Sequence, residues 1–286
     1  MTSQPGILPA IPAHARYLTF RLRPGADPRD ALRALASRPI EERLVVGVGA
    51  SLAAALGVTI EGLRAFPRLT GPGVEVPSTP AALWLWLRGE DRGELLHRGR
   101  ALAALVEGAF ELVETIEAFT YGAGLDLSGY EDGTENPKGD EALEAAFAPG
   151  GGSFVAVQQW VHDLGRLDAM TEAERDHTIG RRRADNEELD DAPASAHVKR
   201  SAQESFEPEA FVLRRSMPFS EPGREGLVFV AFGRSFDAFE AILGRMVGAE
   251  DGVTDALFRF TQPISGRYFF CPPVRDGLLD LASLGL

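Results

Sequence analysis

One pattern recurs along this 286-residue chain and limits its architecture most: a half-polar strand, a helix, then another strand. Residues 15–22 (ARYLTFRL) alternate and carry aromatic and β-branched side chains, as a strand does. Asp27 can cap the following segment, with Pro28 at its first helical position and Leu32 and Leu35 on one face. Residues 44–48 form a short apolar strand running into an alanine-rich helix that ends at Leu56, and the Gly/Pro-rich stretch 67–80 reads as a loop. Residues 81–88 (AALWLWLR) form a strand with Trp84 and Trp86 on one face and leucines on the other. Leu95, Leu96, Leu102 and Leu105 then stand at helical spacing within 90–108, and 110–121 return to strand character.

The theme repeats after a central loop. Residues 152–163 (GSFVAVQQWVHD) read as a strand, and 171–179 as a helix opened by Thr171 with acids in its first turn. Residues 180–196 are polar, charged and long, which in a compact domain marks a functional or disordered loop. Strands are expected at 211–214, 227–232 and 267–270. Residues 236–247 form a helix with Phe236, Phe239, Ile242, Leu243 and Met246 facing inward. No flexible linker separates the two runs. The expected fold is α+β: tandem ferredoxin-like domains, antiparallel sheets flanked by helices, with halves at 1–128 and 129–286.

Charge and cysteine content narrow the function. A formal net charge of −13 argues against nucleic acid, whose binders need basic stripes, and against anionic membrane surfaces. The single cysteine, Cys271, rules out an intramolecular disulfide and cysteine-based zinc or iron–sulfur clusters. Residues 1–12 lack the charged and apolar regions of a secretory signal, and no apolar run approaches a membrane span. A cytoplasmic protein is expected.

Few residues point to chemistry by themselves. Residues 47–51 (GVGAS) resemble a dinucleotide fingerprint, but Leu52 stands where the third glycine belongs, so a turn packed closely on a sheet fits better. The central stretch 129–137 (GYEDGTENP) crowds donors around the Asp132 carboxylate, although Asp-Gly pairs also make ordinary turns. Of the five histidines, His14, His97, His162 and His177 fit structural or solvated positions. His197 emerges from the long polar loop. No paired-ligand spacing and no Gly-x-Ser-x-Gly elbow occurs, so a metal on one histidine would need its remaining ligands from a cofactor, haem foremost.

At these residues the chain resembles the dye-decolourising peroxidases, haem proteins with a duplicated ferredoxin-like fold. The resemblance runs over nearly the whole chain. It rests on the Gly-x-x-Asp-Gly motif of 129–133 extended through Thr134, Asn136 and Pro137, and on VQQWVHD at 157–163. Ile179-Gly180-Arg181 with Glu187-Glu188-Leu189, Ser195-Ala196-His197, Arg214 to Pro218 (RRSMP), and FRFTQPISGRYFFCPP at 258–273 follow in the family's order.

The resemblance implies a haem b (iron protoporphyrin IX) peroxidase. It would reduce hydrogen peroxide and oxidise dyes, phenols or another small-molecule reductant through a ferryl intermediate. His197 would be the axial ligand, with Asp255 a candidate partner for its other nitrogen, unless Asp255 merely caps or pairs locally. Asp132 would shuttle a proton and Arg214 stabilise the departing charge. Arg181 would anchor a haem propionate, although Arg181-Arg182-Arg183 also reads as a basic patch facing the acids at 187–191. Backbone around Gly133 and Thr134 would touch the haem edge, and Leu227 and Phe229 would wall the distal pocket, as ordinary core packing also allows. Ser216 replaces the asparagine of some members, which could lower the rate. Trp84, Trp86, Trp160, Tyr121, Tyr130 and Tyr268 fit core packing, with radical transfer the sharper alternative.

The resemblance further implies a homo-oligomer. The terminal Ser283-Leu284-Gly285-Leu286 echoes the tail by which some members enter an encapsulating shell protein, without the linker that precedes it there. The competing functions are haem storage, haem transfer or iron removal with little peroxidase turnover, a colourless interaction module, and a nicotinamide enzyme using 47–51.

Overall fold

The computed structural model describes residues 2–286; Met1, the first residue of the expected N-terminal half, lies outside them. In chain order the first half contains β1 (His14–Leu22), α1 (Arg29–Ala36), β2 (Leu44–Val48), α2 (Ala50–Leu56), β3 (Leu69–Gly71) and β4 (Val74–Val76). It continues through β5 (Leu83–Gly89), α3 (Arg92–Val106) and β6 (Phe110–Phe119). The second half contains α4 (Gly139–Ala146), β7 (Ser153–His162), α5 (Leu164–Asp168), α6 (Glu172–Ile179), α7 (His197–Ser201), β8 (Leu213–Arg214) and β9 (Met217–Glu221). It ends with β10 (Arg224–Gly233), α8 (Asp237–Met246), β11 (Thr261–Pro263), β12 (Arg267–Cys271), β13 (Val274–Arg275) and β14 (Leu278–Leu279).

Ten strands form one continuous antiparallel sheet. In the first half the neighbours run β2-β5-β1-β6, and in the second β12-β7-β10-β9. Two seams join them: Phe270 of β12 faces Val48 of β2, and Ala118 of β6 faces Phe219 of β9. The sheet therefore closes on itself, with β8 extending the β9 edge along β10 and β11 the β12 edge along β7. Closure removes exposed sheet edges.

Strand alternation decides what lies inside and outside this ring. Tyr17, Trp84, Trp86, Val45, Phe219, Phe232 and Phe269 share one buried cluster. Its aromatic rings stack from Phe269 onto Trp84, from Trp84 onto Tyr17, and from Trp86 onto Phe232. Leu18, Phe20, Leu83, Leu85 and Leu87 belong to a second cluster, with the apolar faces of α1, α3 and α8. β5 is thus buried on both faces, and the aromatic residues of Trp84 and Trp86 serve the core, as packing predicts.

Several expectations shift. Pro28 is the cap of α1 rather than its first turn, while Asp27 accepts the Arg29 N–H at 3.0 Å. The stretch 67–80 contains the hairpin β3–β4, and only Leu213 and Arg214 of 211–214 are strand. β9 carries Pro218, a residue that speaks against a strand in sequence. The 47–51 loop behaves as a packed turn: a Cβ on Gly49 would lie 1.9 Å from the Ala81 carbonyl oxygen.

Candidate functional site

A cavity of about 390 Å³ lies against the outer face of β7 and β10. Period-two alternation directs Gln158, Trp160 and His162 of β7, and Leu227 and Phe229 of β10, into its wall. Their neighbours Val155, Val157, Val228 and Val230 fill the ring interior. Helix α8 adds Phe239, Ile242, Leu243 and Met246. Polar and charged side chains, among them Asp132, Arg181, His197 and Arg214, complete the lining beside these apolar walls.

His197 enters this cavity from the first residue of α7, a helix whose cap, Ala196, has no side-chain hydrogen bond. Its Nδ1 lies 2.8 Å from Asp255 Oδ2, and the Asp255 side chain is fully buried. A carboxylate only accepts, so Nδ1 is the donor here, and in the neutral imidazole the lone pair then sits on Nε2. Asp255 Oδ1 accepts the Leu257 N–H at 2.8 Å, and Ala256 N donates to Ser195 O at 2.7 Å. Both the partner and the loop before His197 are thereby fixed. Asp255 also caps its own turn, so the two roles weighed for it coexist.

Another part of the wall holds Asp132 and Arg214, with Arg214 Nη1 3.3 Å from Asp132 Oδ1. Arg214 Nε is buried without a hydrogen-bond partner. Both residues and Leu227 also border a smaller neighbouring cavity of about 220 Å³. Gly133 and Ser216 line this second space and not the first. Gly133 sits at φ +79° in a turn closed by Asn136 N donating to Gly133 O at 3.0 Å. The Ser216 Oγ accepts the Val230 N–H at 3.4 Å.

Thr134 lines the main cavity and accepts from Asn186 Nδ2 at 3.1 Å. Arg181 lines it too, donating to Glu135 Oε1 at 2.7 Å and to Asn186 O at 3.0 Å, with Glu188 Oε2 3.7 Å away. The acids expected around the basic patch are present: Arg182 pairs with Asp185 and Glu187. The structure thus gathers Asp132, Thr134, Arg181, His197, Arg214, Leu227 and Phe229 around one space, with Asp255 behind His197.

Sequence reasoning placed His162 among the structural histidines and passed over Asp126. They meet on the cavity wall: His162 Nε2 is 3.0 Å from Asp126 Oδ1, and Nδ1 is 2.7 Å from Thr261 Oγ1. Burial opposes ionisation of Asp126, but hydrogen bonds from His162 and Ser128 outweigh it and hold the carboxyl below its ordinary 3.8. A depressed carboxylate contributes stability that is complete above about pH 3.8 and lost as pH falls through the folded value. Asp126→Asn is therefore expected to flatten the acid limb of apoprotein stability below about pH 4. Urea midpoints measured across that range check this; an unchanged acid limb contradicts it.

Among the described residues no group of three or more His, Cys, Asp or Glu side chains stands where it could hold a metal ion. An ion on His197 would draw its remaining ligands from a flat, largely apolar cofactor. The residues present fit haem: an imidazole held through Nδ1, apolar walls from β10 and α8, and an arginine within reach of anionic substituents.

A family model described as Dyp-type peroxidase, C-terminal, matches residues 123–276. The dye-decolorizing peroxidase of Mycolicibacterium paratuberculosis is 30% identical, the match covering 95% of this chain and 83% of that protein. That of Mycobacterium tuberculosis is 31% identical over 74% and 67% of the two chains. Among solved structures, the dye-decolorizing protein from V. cholerae superimposes with a TM-score of 0.85 at 29% identity, covering 94% of this chain and 97% of its own. An arginine-to-leucine variant of DypB from Rhodococcus jostii RHA1, in complex with heme, gives 0.83 at 27% identity over 94% and 95%.

Proposed function

The chain belongs to the dye-decolourising peroxidase family and is a haem peroxidase, and we propose on that premise that His197 holds the iron of haem b while Asp132 and Arg214 act on hydrogen peroxide. When bound, haem supplies the iron that accepts peroxide oxygen and passes oxidising equivalents to one-electron donors. The observation that carries the assignment is one cavity bordered by both a carboxylate-held imidazole and an aspartate–arginine pair.

Each side chain has a definable task. Donation of Nδ1–H to the buried Asp255 orients His197 and makes Nε2 a stronger ligand. Asp132 takes the proton from one peroxide oxygen and returns it to the other. Arg214 keeps its charge throughout and stabilises the negative charge developing on the departing oxygen. Arg181, which pairs with Glu135, would hold a haem propionate, and Thr134 would border the cofactor. Leu227 and Phe229 exclude water from the reacting side. Gly133 and Ser216 act from the neighbouring cavity, Gly133 through its turn and Ser216 through its bond to β10.

The Asp255 role carries its own expected result. Asp255→Asn keeps an oxygen facing His197 but loses the charge and cannot serve both Nδ1–H and the Leu257 N–H. Peroxidase activity should fall by about 10–100-fold with haem still bound. The reduction potential of the bound iron, read by spectroelectrochemical titration, should rise; an unchanged potential speaks against this role.

The fold is read as two ferredoxin-like halves, 1–128 and 129–286, a reading supported by the matching strand orders β2-β5-β1-β6 and β12-β7-β10-β9. Cytoplasmic residence belongs to the same proposal; Cys271 is free and buried, and no helix among the described residues is long and apolar enough to cross a membrane. Assembly with further copies is part of the same proposal. Entry into a shell by the terminal segment would require Leu284 to leave the core, where it is 1% exposed.

Haem added to the purified apoprotein should bind one to one, and peroxide should then drive oxidation of a phenol or dye with iron retained. Release of iron from the porphyrin without donor oxidation would instead favour haem handling.

A further inference from the structure

The backbone of Arg214 has an unusual partner. β8 is paired with β10 on one edge only, through Ala231 opposite Arg214 and Arg215 N donating to Val230 O at 2.8 Å. In an antiparallel ladder consecutive residues address alternate edges, so the Arg214 N–H and C=O face away from β10. Among the described residues no strand lies there. Instead the Asn136 side chain supplies both halves of a peptide: its Oδ1 accepts the Arg214 N–H at 2.8 Å, and its Nδ2 donates to Arg214 O at 3.0 Å. Arg214 O also accepts from Arg215 Nη1 at 2.9 Å, so the N–H depends on Asn136 more than the carbonyl does.

A second amide works beside it. Gln203, 4% exposed, donates to Glu135 O at 2.8 Å and accepts the Val212 N–H at 2.9 Å. Residues 135–136 are thereby fastened to 212–214 by two side-chain amides. Gly133 makes room for the first: a Cβ there would lie 2.8 Å from Asn136 Nδ2, besides opposing its φ of +79°. Asp132 immediately precedes this glycine, so the fastening sets the separation of the loop that carries the carboxylate from the strand that carries the guanidinium.

We infer that Asn136 is a positioning residue for peroxide reduction: by mimicking an adjacent strand on β8, it holds Asp132 and Arg214 in register. The inference rests on the roles given above to Asp132 and Arg214. It makes the asparagine of the GYEDGTENP stretch part of the site although Asn136 borders only the smaller cavity and not the main one. Asn136→Ala leaves the Arg214 N–H without its acceptor and frees the loop, and displacement of a reacting group by about 1 Å costs on the order of 10²-fold.

The test uses Asn136→Ala, with Asn136→Asp as a second variant that keeps the acceptor and loses the donor. In the haem-loaded protein, the second-order rate constant with hydrogen peroxide should fall by roughly 10- to 10²-fold for Asn136→Ala. Turnover limited by donor at saturating peroxide should hold. In the apoprotein, hydrogen exchange of peptides spanning 212–216 should accelerate while those from β7 keep their protection. Added to Asp132→Ala, Asn136→Ala should cost less than threefold more, because the geometry it maintains no longer has a carboxylate to place. Full additivity with Asp132→Ala, or unchanged exchange at 212–216, would overturn the inference. If Asp132→Ala itself leaves the peroxide rate intact, the reading beneath it fails and the inference with it.

Discussion

His197→Ala yields a folded apoprotein that no longer retains haem. The cavity walls from β7, β10 and α8 do not depend on the imidazole. The local cost is the bond to Asp255, whose buried carboxylate keeps only the Leu257 N–H. Such a loss amounts to about 1–3 kcal/mol, within the margin of an ordinary domain. The larger effect is on haem. Ligand binding to the native state at 100 times Kd adds about 2.7 kcal/mol of apparent stability. Wild-type thermal midpoints should therefore rise with haem, and those of His197→Ala should not. Free imidazole, filling the space of the deleted ring, should restore the Soret band in part. Haem retention equal to wild type would remove His197 from the ligand role.

The distal pair gives the second large effect. Asp132→Ala removes a group placed to move a proton, an effect of about 10²–10⁴-fold on the peroxide step. Arg214→Leu removes a preorganised charge, an effect of about 10²–10³-fold. The comparison is informative because the two side chains are 3.3 Å apart and each shapes the other's surroundings. Haem loading should survive in both variants, since neither touches His197 or Asp255. Rapid-mixing absorbance after peroxide addition measures the step directly. A greater loss in Arg214→Leu than in Asp132→Ala would assign the main contribution to charge stabilisation rather than proton transfer. Undiminished rates in both would remove the pair from the reaction.

Local pattern carried much of this molecule. The alternation of 15–22, 81–88 and 152–163 located β1, β5 and β7, because strands with one sort of residue on each face repeat every second position. The motif order also joins Asp132, His197 and Arg214 in one proposal, and all three line one cavity. Asp255 was singled out only by its place after the last long helix.

What sequence left out is long-range. Closure of the sheet depends on the single pairs Phe270–Val48 and Ala118–Phe219, and nothing local to either strand marks a partner so distant. His162 and Asp126 meet across 36 residues through side chains that look solvated in isolation. Nothing local marks the role of Asn136, because its amide satisfies a backbone 78 residues away. Helix α7 lacks a capping side chain, so no start signal announced it. The turn at Gly133 and the clearance it leaves for Asn136 are likewise set by geometry that its motif does not spell out.

The most direct test is a stoichiometric titration of the haem-loaded protein with hydrogen peroxide in the presence of a one-electron donor. Reduction of peroxide to water takes two electrons and two protons, so two donor molecules should be oxidised per peroxide. The haem spectrum should return to its starting form and the iron remain bound. Peroxide consumption without donor oxidation, accompanied by bleaching of the porphyrin or loss of its iron, would contradict a peroxidase site built on His197, Asp132 and Arg214.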